Sequence, residues 1–168
     1  KARQIAVDPA ARFAVGIELS PKHIRYVAVD LRAREIAFTE VEQQFQDNAL
    51  YYKYLAQELE RFLDAYDLKR SQLLGIGITV PGIVDKDQSV VTVSPVLAVR
   101  KLNIRQITER IPYPCFVQND ASAGGVAEGW MHYMQDNMAY LYLGKGVGGA
   151  LLLEGKPYMG KNGRSAEF

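Results

Sequence analysis

Cysteine and histidine are scarce. Cys115 is the single cysteine among 168 residues, and His23 and His132 are the two histidines. One cysteine excludes an intrachain disulfide and any CxxC metal pair. At the head of an apolar run, Cys115 reads as a small buried residue of a reducing, cytoplasmic compartment. The histidines have no neighbours at ligand spacing, so no metal site is expected and both read as surface or packing residues. An excess of one charge is also lacking: 20 basic residues face 19 acidic ones, for a net +1. That balance excludes a strong non-specific grip on nucleic acid by these residues. No apolar run approaches the ~20 residues that cross a bilayer, and the first residues carry no signal-peptide apolar core, so no membrane partner is expected. Internal repeats and low-complexity tracts are absent. Ser20, Ser122 and Ser165 lack the context of a nucleophile elbow.

What is present is an α/β pattern. Apolar residues make up 48% of the chain, ordinary for a globular protein with a sizeable core. Residues 1–11 are polar with an Asp8-Pro9 turn and read as a linker. Strands are expected over 13–19, 24–30 and 35–41, joined by tight turns into an antiparallel meander. Asp47 or Asn48 is placed to cap a helix running to Tyr66, with Leu55, Leu59, Phe62 and Tyr66 on one stripe. Tyr51, Tyr52 and Tyr54 in its first turns are expected to cover the sheet or a subunit contact rather than to stack on bases. A buried strand follows over 73–80, stopped by Pro81-Gly82. A short hairpin spans 83–85 and 90–93, and a short helix covers 104–110 with Asn103 as its candidate cap. A strand over 115–118 turns into a helix over about 121–131. Strands over 138–143 and 150–153 flank a glycine-rich turn at 144–149.

Three stretches carry candidate chemistry. Gly75-x-Gly77-x-x-Val80-Pro81-Gly82 either lets elements pack closely or lets backbone approach a ligand at a strand end. Asn119-Asp120 stands where a strand turns into a helix, the place where ligands collect in parallel α/β sheets. Asp120 is a favoured helix cap, and a carboxylate there can also take a proton from a bound hydroxyl. Gly144-Lys145-Gly146-Val147-Gly148-Gly149 lacks the spacing of a Walker A loop and the helix of a Rossmann fingerprint. It is either a tight hairpin or a phosphate-loop-like turn offering N–H groups at Gly144, Lys145, Gly146 and Gly148.

Together these pieces resemble the ROK family of repressors, open reading frames and sugar kinases. The likeness rests on GIGITVPGIVD at 75–85, NDASA at 119–123 where the family has NDAN-A, and Glu128. It rests also on GKGVGGA at 144–150 against GTGIGGG, and on 160–168 against G-x-x-G-x-A-G-E-I-G-H. The resemblance implies an actin-like ATPase fold of the ribonuclease H type, with a sugar in the cleft between lobes. Residues 12–120 would form the first lobe and 121–168 the start of the second. Asp120 matches the kinase base, Asn119 a sugar-hydroxyl ligand and Glu167 a sugar ligand near the anomeric end. Gly82 lies on the same wall, and Asn103 is a further candidate. The family's cysteine-rich zinc motif has no counterpart in these residues, so zinc is expected only in a longer protein.

The departures steer the reading toward the repressor branch. Family kinases open with D-x-G-G-T-K; here Glu18-Leu19-Ser20-Pro21-Lys22 stands in its place. Both glycines are gone, and proline has no N–H to give. Lys145 replaces the threonine of the second phosphate loop. Phosphoryl transfer rests on positioning and charge stabilisation around the phosphates, so ATP is not an expected cofactor. The resemblance therefore implies the sugar or sugar-phosphate effector domain of a transcriptional regulator. Residues 1–11 would follow an N-terminal DNA-binding domain, and the full-length protein would be a homo-oligomer. The alternative is an ATP-dependent, glucokinase-like sugar kinase.

Overall fold

The structure is a computed structural model that describes residues 5–85, 87, 89–132, 137–143, 147–161 and 165–166. Strands β1 (Phe13–Leu19), β2 (His23–Asp30) and β3 (Glu35–Glu42) form the expected antiparallel meander. In β1 and β2 every second residue is buried, as a strand with one face on the core requires. Helix α1 (Ala49–Ala65) is capped by Asn48, whose side-chain oxygen accepts from the Tyr51 N–H at 2.9 Å. It leads into β4 (Leu73–Val80), which runs parallel to β1.

A small antiparallel sheet follows: β5 (Ile83–Val84), β6 (Val90–Ser94) and β7 (Val99–Asn103). The hydropathy pattern gives no strand signal for β7. Its Val-Arg-Lys-Leu-Asn buries only Leu102, and Lys101 adopts a left-handed φ of 55° that breaks the pleat. The short helix α2 spans only Arg105–Thr108 and not the expected 104–110. Strand β8 (Cys115–Asn119) pairs parallel to β4, and α3 (Asp120–Met131) leaves it directly. Strands β9 (Met138–Leu143), β10 (Val147–Leu153) and β11 (Lys156–Pro157) make a second antiparallel sheet on which α3 packs.

The main sheet has the order β3-β2-β1-β4-β8. Its core face meets α1 through Tyr51, Tyr52, Leu55, Leu59, Phe62 and Leu63. Burying a large apolar side chain contributes roughly 1.5–3 kcal/mol, so this stripe anchors the helix. Tyr51 and Tyr52 are core residues, as the sheet-covering reading expects. Tyr51 meets Phe45 and Tyr52 edge-on, with centroids 5.0 and 5.7 Å apart. The Tyr52 hydroxyl donates to Asp47 and that of Tyr26 to the Leu55 carbonyl, at 2.6 and 2.9 Å.

Because β1, β4 and β8 are parallel, their carboxyl ends share one edge of the sheet. Register puts Glu18 beside Thr79, and Thr79 beside Gln118. Glu18, Pro81-Gly82 and Asn119-Asp120 therefore gather at one place from three separate parts of the chain.

Candidate functional site

The centre of this edge is Asn119, only 8% exposed. Sequence made Asp120 the candidate cap of α3; the structure gives that role to Asn119. Its Oδ1 accepts from the Ser122 N–H at 2.9 Å. Its Nδ2 donates to the Gly82 carbonyl at 2.9 Å and to Asp120 Oδ1 at 3.1 Å. An amide can do both jobs and a carboxylate cannot, because only the amide has N–H groups for the Gly82 oxygen. Asp120 becomes the first residue of the helix and accepts from the Ala121 N–H at 2.9 Å. Burial raises its pKa above the ordinary carboxylate range; the Ala121 bond opposes this and the negative charge of Glu18 adds to it.

Gly82 accepts from Asn119 through its carbonyl at this edge. Its φ is +155°, and a Cβ there would lie 2.6 Å from the Val93 carbonyl oxygen and 2.8 Å from Ser94 Cβ. Only glycine fits this wall. Ser94, fully buried, braces it by donating to the Pro81 carbonyl while accepting from the Leu97 N–H at 3.1 Å. Sequence reasoning missed Ser94 because nothing in a lone serine marks it as a bridge between a hairpin and the preceding turn.

Glu18 was seen only as a departure from a motif; the structure places it at the same sheet edge. It projects from β1 on the face away from α1, and Arg25 Nη1 lies 3.2 Å from its carboxylate. The same guanidinium donates through Nε to Glu40 at 2.5 Å, and His23 stands 4.0 Å from Glu40. The Glu40 hydrogen bond, then Glu18, raises the Arg25 pKa, and Arg25 in turn lowers that of Glu40. The alternation of β1, apolar inward and Glu18 outward at its last turn, is the signal that could have found this residue.

The turn after Glu18 is closed upon itself. The Ser20 N–H donates to the His23 carbonyl at 3.1 Å, and the His23 N–H donates to Ser20 Oγ at 3.1 Å. Pro21 has no N–H. The Pro21 and Lys22 carbonyls accept from Phe45 and Gln43 at 3.0 and 2.8 Å. Within this turn the Ser20 and His23 N–H groups are used internally and Pro21 has none, so it lacks the open run of donors of a glycine hairpin.

Other expected site residues fall elsewhere. Asn103 pairs with Val90 at the end of the small sheet remote from Gly82, which meets Val93 and Ser94. Three residues of strand separate the two places, about 10 Å. Asn103 instead accepts from the Arg105 N–H at 3.0 Å, but it does not cap α2 as expected: the N-cap is Ile104, with no side-chain cap bond. Gly148 is a strand residue of β10, not a turn residue. A Cβ on it would stand 3.3 Å from Ala121 Cβ of α3, so it permits close packing. Gly144, Lys145, Gly146 and Glu167 lie outside the described residues. Cys115 donates to the Tyr113 carbonyl at 3.3 Å, and burial pushes its thiol up to about 11, which leaves it protonated and inert. Each histidine lies beside a glutamate, His132 Nδ1 at 3.4 Å from Glu128. Among the described residues no group of three or more His, Cys, Asp or Glu is disposed to hold a metal ion.

A mixed sheet with buried Asn119 and a half-buried carboxylate, Asp120, at its parallel edge, together with further antiparallel sheets, makes an α/β protein with the actin-like ATPase fold of sugar kinases and their relatives. The ROK family profile matches residues 14–168, and the chain belongs to the ROK family. It is 27% identical over 167 residues to the xylose repressor of Bacillus subtilis, covering 98% of this chain and 43% of that protein. In structure it resembles a ROK family transcriptional regulator, a homolog of the E. coli MLC protein, with a TM-score of 0.80 and 23% identity, over 95% of this chain and 41% of that one. It also resembles a ROK family glucokinase from Streptomyces griseus, solved with glucose and AMPPNP, with a TM-score of 0.74 and 22% identity, over 93% and 49%. The chain thus spans about two fifths of the repressor's length.

Proposed function

We propose that these residues form the effector-binding part of a sugar-responsive transcriptional regulator. The observation that carries this reading is the contrast between two neighbouring features. Asn119, Asp120 and Gly82 keep a rigid, hydroxyl-seeking site, while the Ser20-Pro21 turn beside it lacks the open run of donors of a glycine hairpin. A carboxylate accepting from a sugar hydroxyl binds it well without passing its proton to any reaction. The similarity to a xylose repressor supports a repressor over a kinase. Residues 12–120 are the first lobe in this reading, and residues 121–168 open the second, with Glu167 completing the sugar contacts. Residues 1–11 link to a DNA-binding domain, and the regulator works as a cytoplasmic homo-oligomer. Sugar binding shifts the closure of the lobes and so the DNA-binding state, to the extent that the two states differ in sugar affinity.

The test uses the full-length protein in two assays. A coupled assay with ATP and a panel of sugars is expected to show no turnover. Gel shifts on the DNA upstream of its own gene are expected to change with one of those sugars. Sugar phosphorylation that disappears in Asp120→Asn would establish the kinase instead.

A further inference from the structure

We propose that the outer face of α1 is a docking groove for an acidic, amphipathic helix of a partner protein. The groove runs between α1 and the loop after α2 and encloses about 750 Å³. None of its lining residues belongs to the Asn119-Asp120 edge, so it is a separate surface.

Its shape comes from the sequence of α1. Leu55, Leu59 and Phe62 bury one side of the helix against the main sheet. On the other side Ala49, Lys53, Ala56 and Glu60 recur at helical spacing and share one stripe. The two alanines keep the floor low, and Arg110 stands on the opposite wall. Leu50 sits at the rim, 78% exposed, a large apolar side chain left uncovered by the described residues. From Ala49 to Arg61 the lining follows α1 for about 18 Å, enough for three turns of a second helix. A helix laid there would be held through apolar residues at i, i+4 and i+7.

Charge selects the partner. Glu60 lines the groove, but its two oxygens are taken, by the Tyr113 hydroxyl at 2.7 Å and by Arg70 at 2.6 Å. Arg61 is paired with Glu58. Arg110 gives one N–H to the Gln106 carbonyl. Among the described residues neither Lys53 nor Arg110 has a carboxylate within ion-pair distance. Two unneutralised cations therefore flank an apolar floor, and carboxylates beside the apolar stripe of a helix complement them. A nucleic acid would meet the cations but leave Leu50 and the alanines unused. The net charge of +1 supplies no wider basic field for it.

The test is selection on the full-length protein of displayed peptides of about 15 residues, enough to span the groove as a helix. A Leu50→Ala, Lys53→Glu, Arg110→Glu variant serves as the counter-target. All three positions are exposed, so its urea midpoint should match wild type. Peptides that prefer the wild type should be acidic, with an apolar stripe at i, i+4 and i+7. In fluorescence anisotropy the most enriched peptide should bind at least about tenfold more weakly to Lys53→Glu, Arg110→Glu, the scale of two surface pairs turned from attraction to repulsion. Leu50→Ala alone should weaken it by about as much, through lost apolar contact. Selected peptides that are neutral or basic, or that bind the variants as tightly as wild type, overturn the inference. A single-stranded oligonucleotide that binds only while Lys53 and Arg110 are intact, with no peptide enriched, would give the groove to nucleic acid and overturn it. A smaller oligomer in the charge-reversal variant would give it to a second copy of this chain, with the same result.

Discussion

Asn119 gives the sharpest test of how the site is built. Replacing it with alanine deletes the cap on Ser122 and the donor to the Gly82 carbonyl in one step. A lost cap costs about 1 kcal/mol and a lost buried neutral hydrogen bond about the same, so Asn119→Ala should destabilise this edge by about 2 kcal/mol. The site is nearly closed to solvent, so water replaces little of that loss. Amide hydrogen exchange reads the effect where it occurs: the Ser122 amide should exchange roughly thirtyfold faster, which is 2 kcal/mol expressed as a rate. Asn119→Asp separates the two roles. Aspartate caps as well as asparagine, so Ser122 should stay protected. The new carboxylate would face the Gly82 oxygen and Asp120, and the urea midpoint should fall with an unchanged slope. Ser122 protection within twofold of wild type in Asn119→Ala would refute the capping argument. An Asn119→Asp variant as stable as wild type would refute the donor argument.

Two further outcomes follow from the same edge. Gly82→Ala should cost roughly 2–4 kcal/mol, from a disfavoured φ plus a methyl group driven into the Val93 and Ser94 backbone; a urea midpoint near wild type would contradict it. Burial and the charge of Glu18 raise the folded-state pKa of Asp120, so this group destabilises the fold progressively as pH rises from its unfolded value through its folded one. Asp120→Asn should therefore gain in Tm relative to wild type between acid and neutral pH, while losing at least about tenfold in sugar affinity, as expected for a bond to a charged acceptor. Melting curves that stay parallel across pH would count against the buried-carboxylate argument.

Much of the fold is legible in the chain because its central strands obey one simple rule each. The β1 and β2 alternation and the unbroken apolar run of β4 locate the sheet to within a residue. Strand β7 escapes because two of its five residues are cations and its backbone turns left-handed at Lys101. At Asn119-Asp120 two adjacent residues can each cap a helix, and propensity cannot rank them. The Gly82 carbonyl decides, and it arrives from 37 positions earlier in sequence. Asn103 shows the converse. Its local contact with the Arg105 N–H follows from nearby sequence, but its distance from Gly82 depends on the register between β6 and β7. The placement of Glu18 is likewise non-local: it comes from β1, two strands from β8.

The segment after β3 has a mechanical consequence. Gln43 and Phe45 clasp the carbonyls of Lys22 and Pro21, and the Phe45 ring rests edge-on against Tyr51 near the start of α1. Hairpin tip, clasp and helix start are therefore riveted into one piece. In a nucleotide-binding hairpin the tip must yield to its ligand. A displacement of this hairpin tip would be carried to the first turn of α1 instead of being absorbed in a loose loop. Grafting glycines into the tip would loosen that rivet and detach the helix from the edge before it created any grip on phosphate.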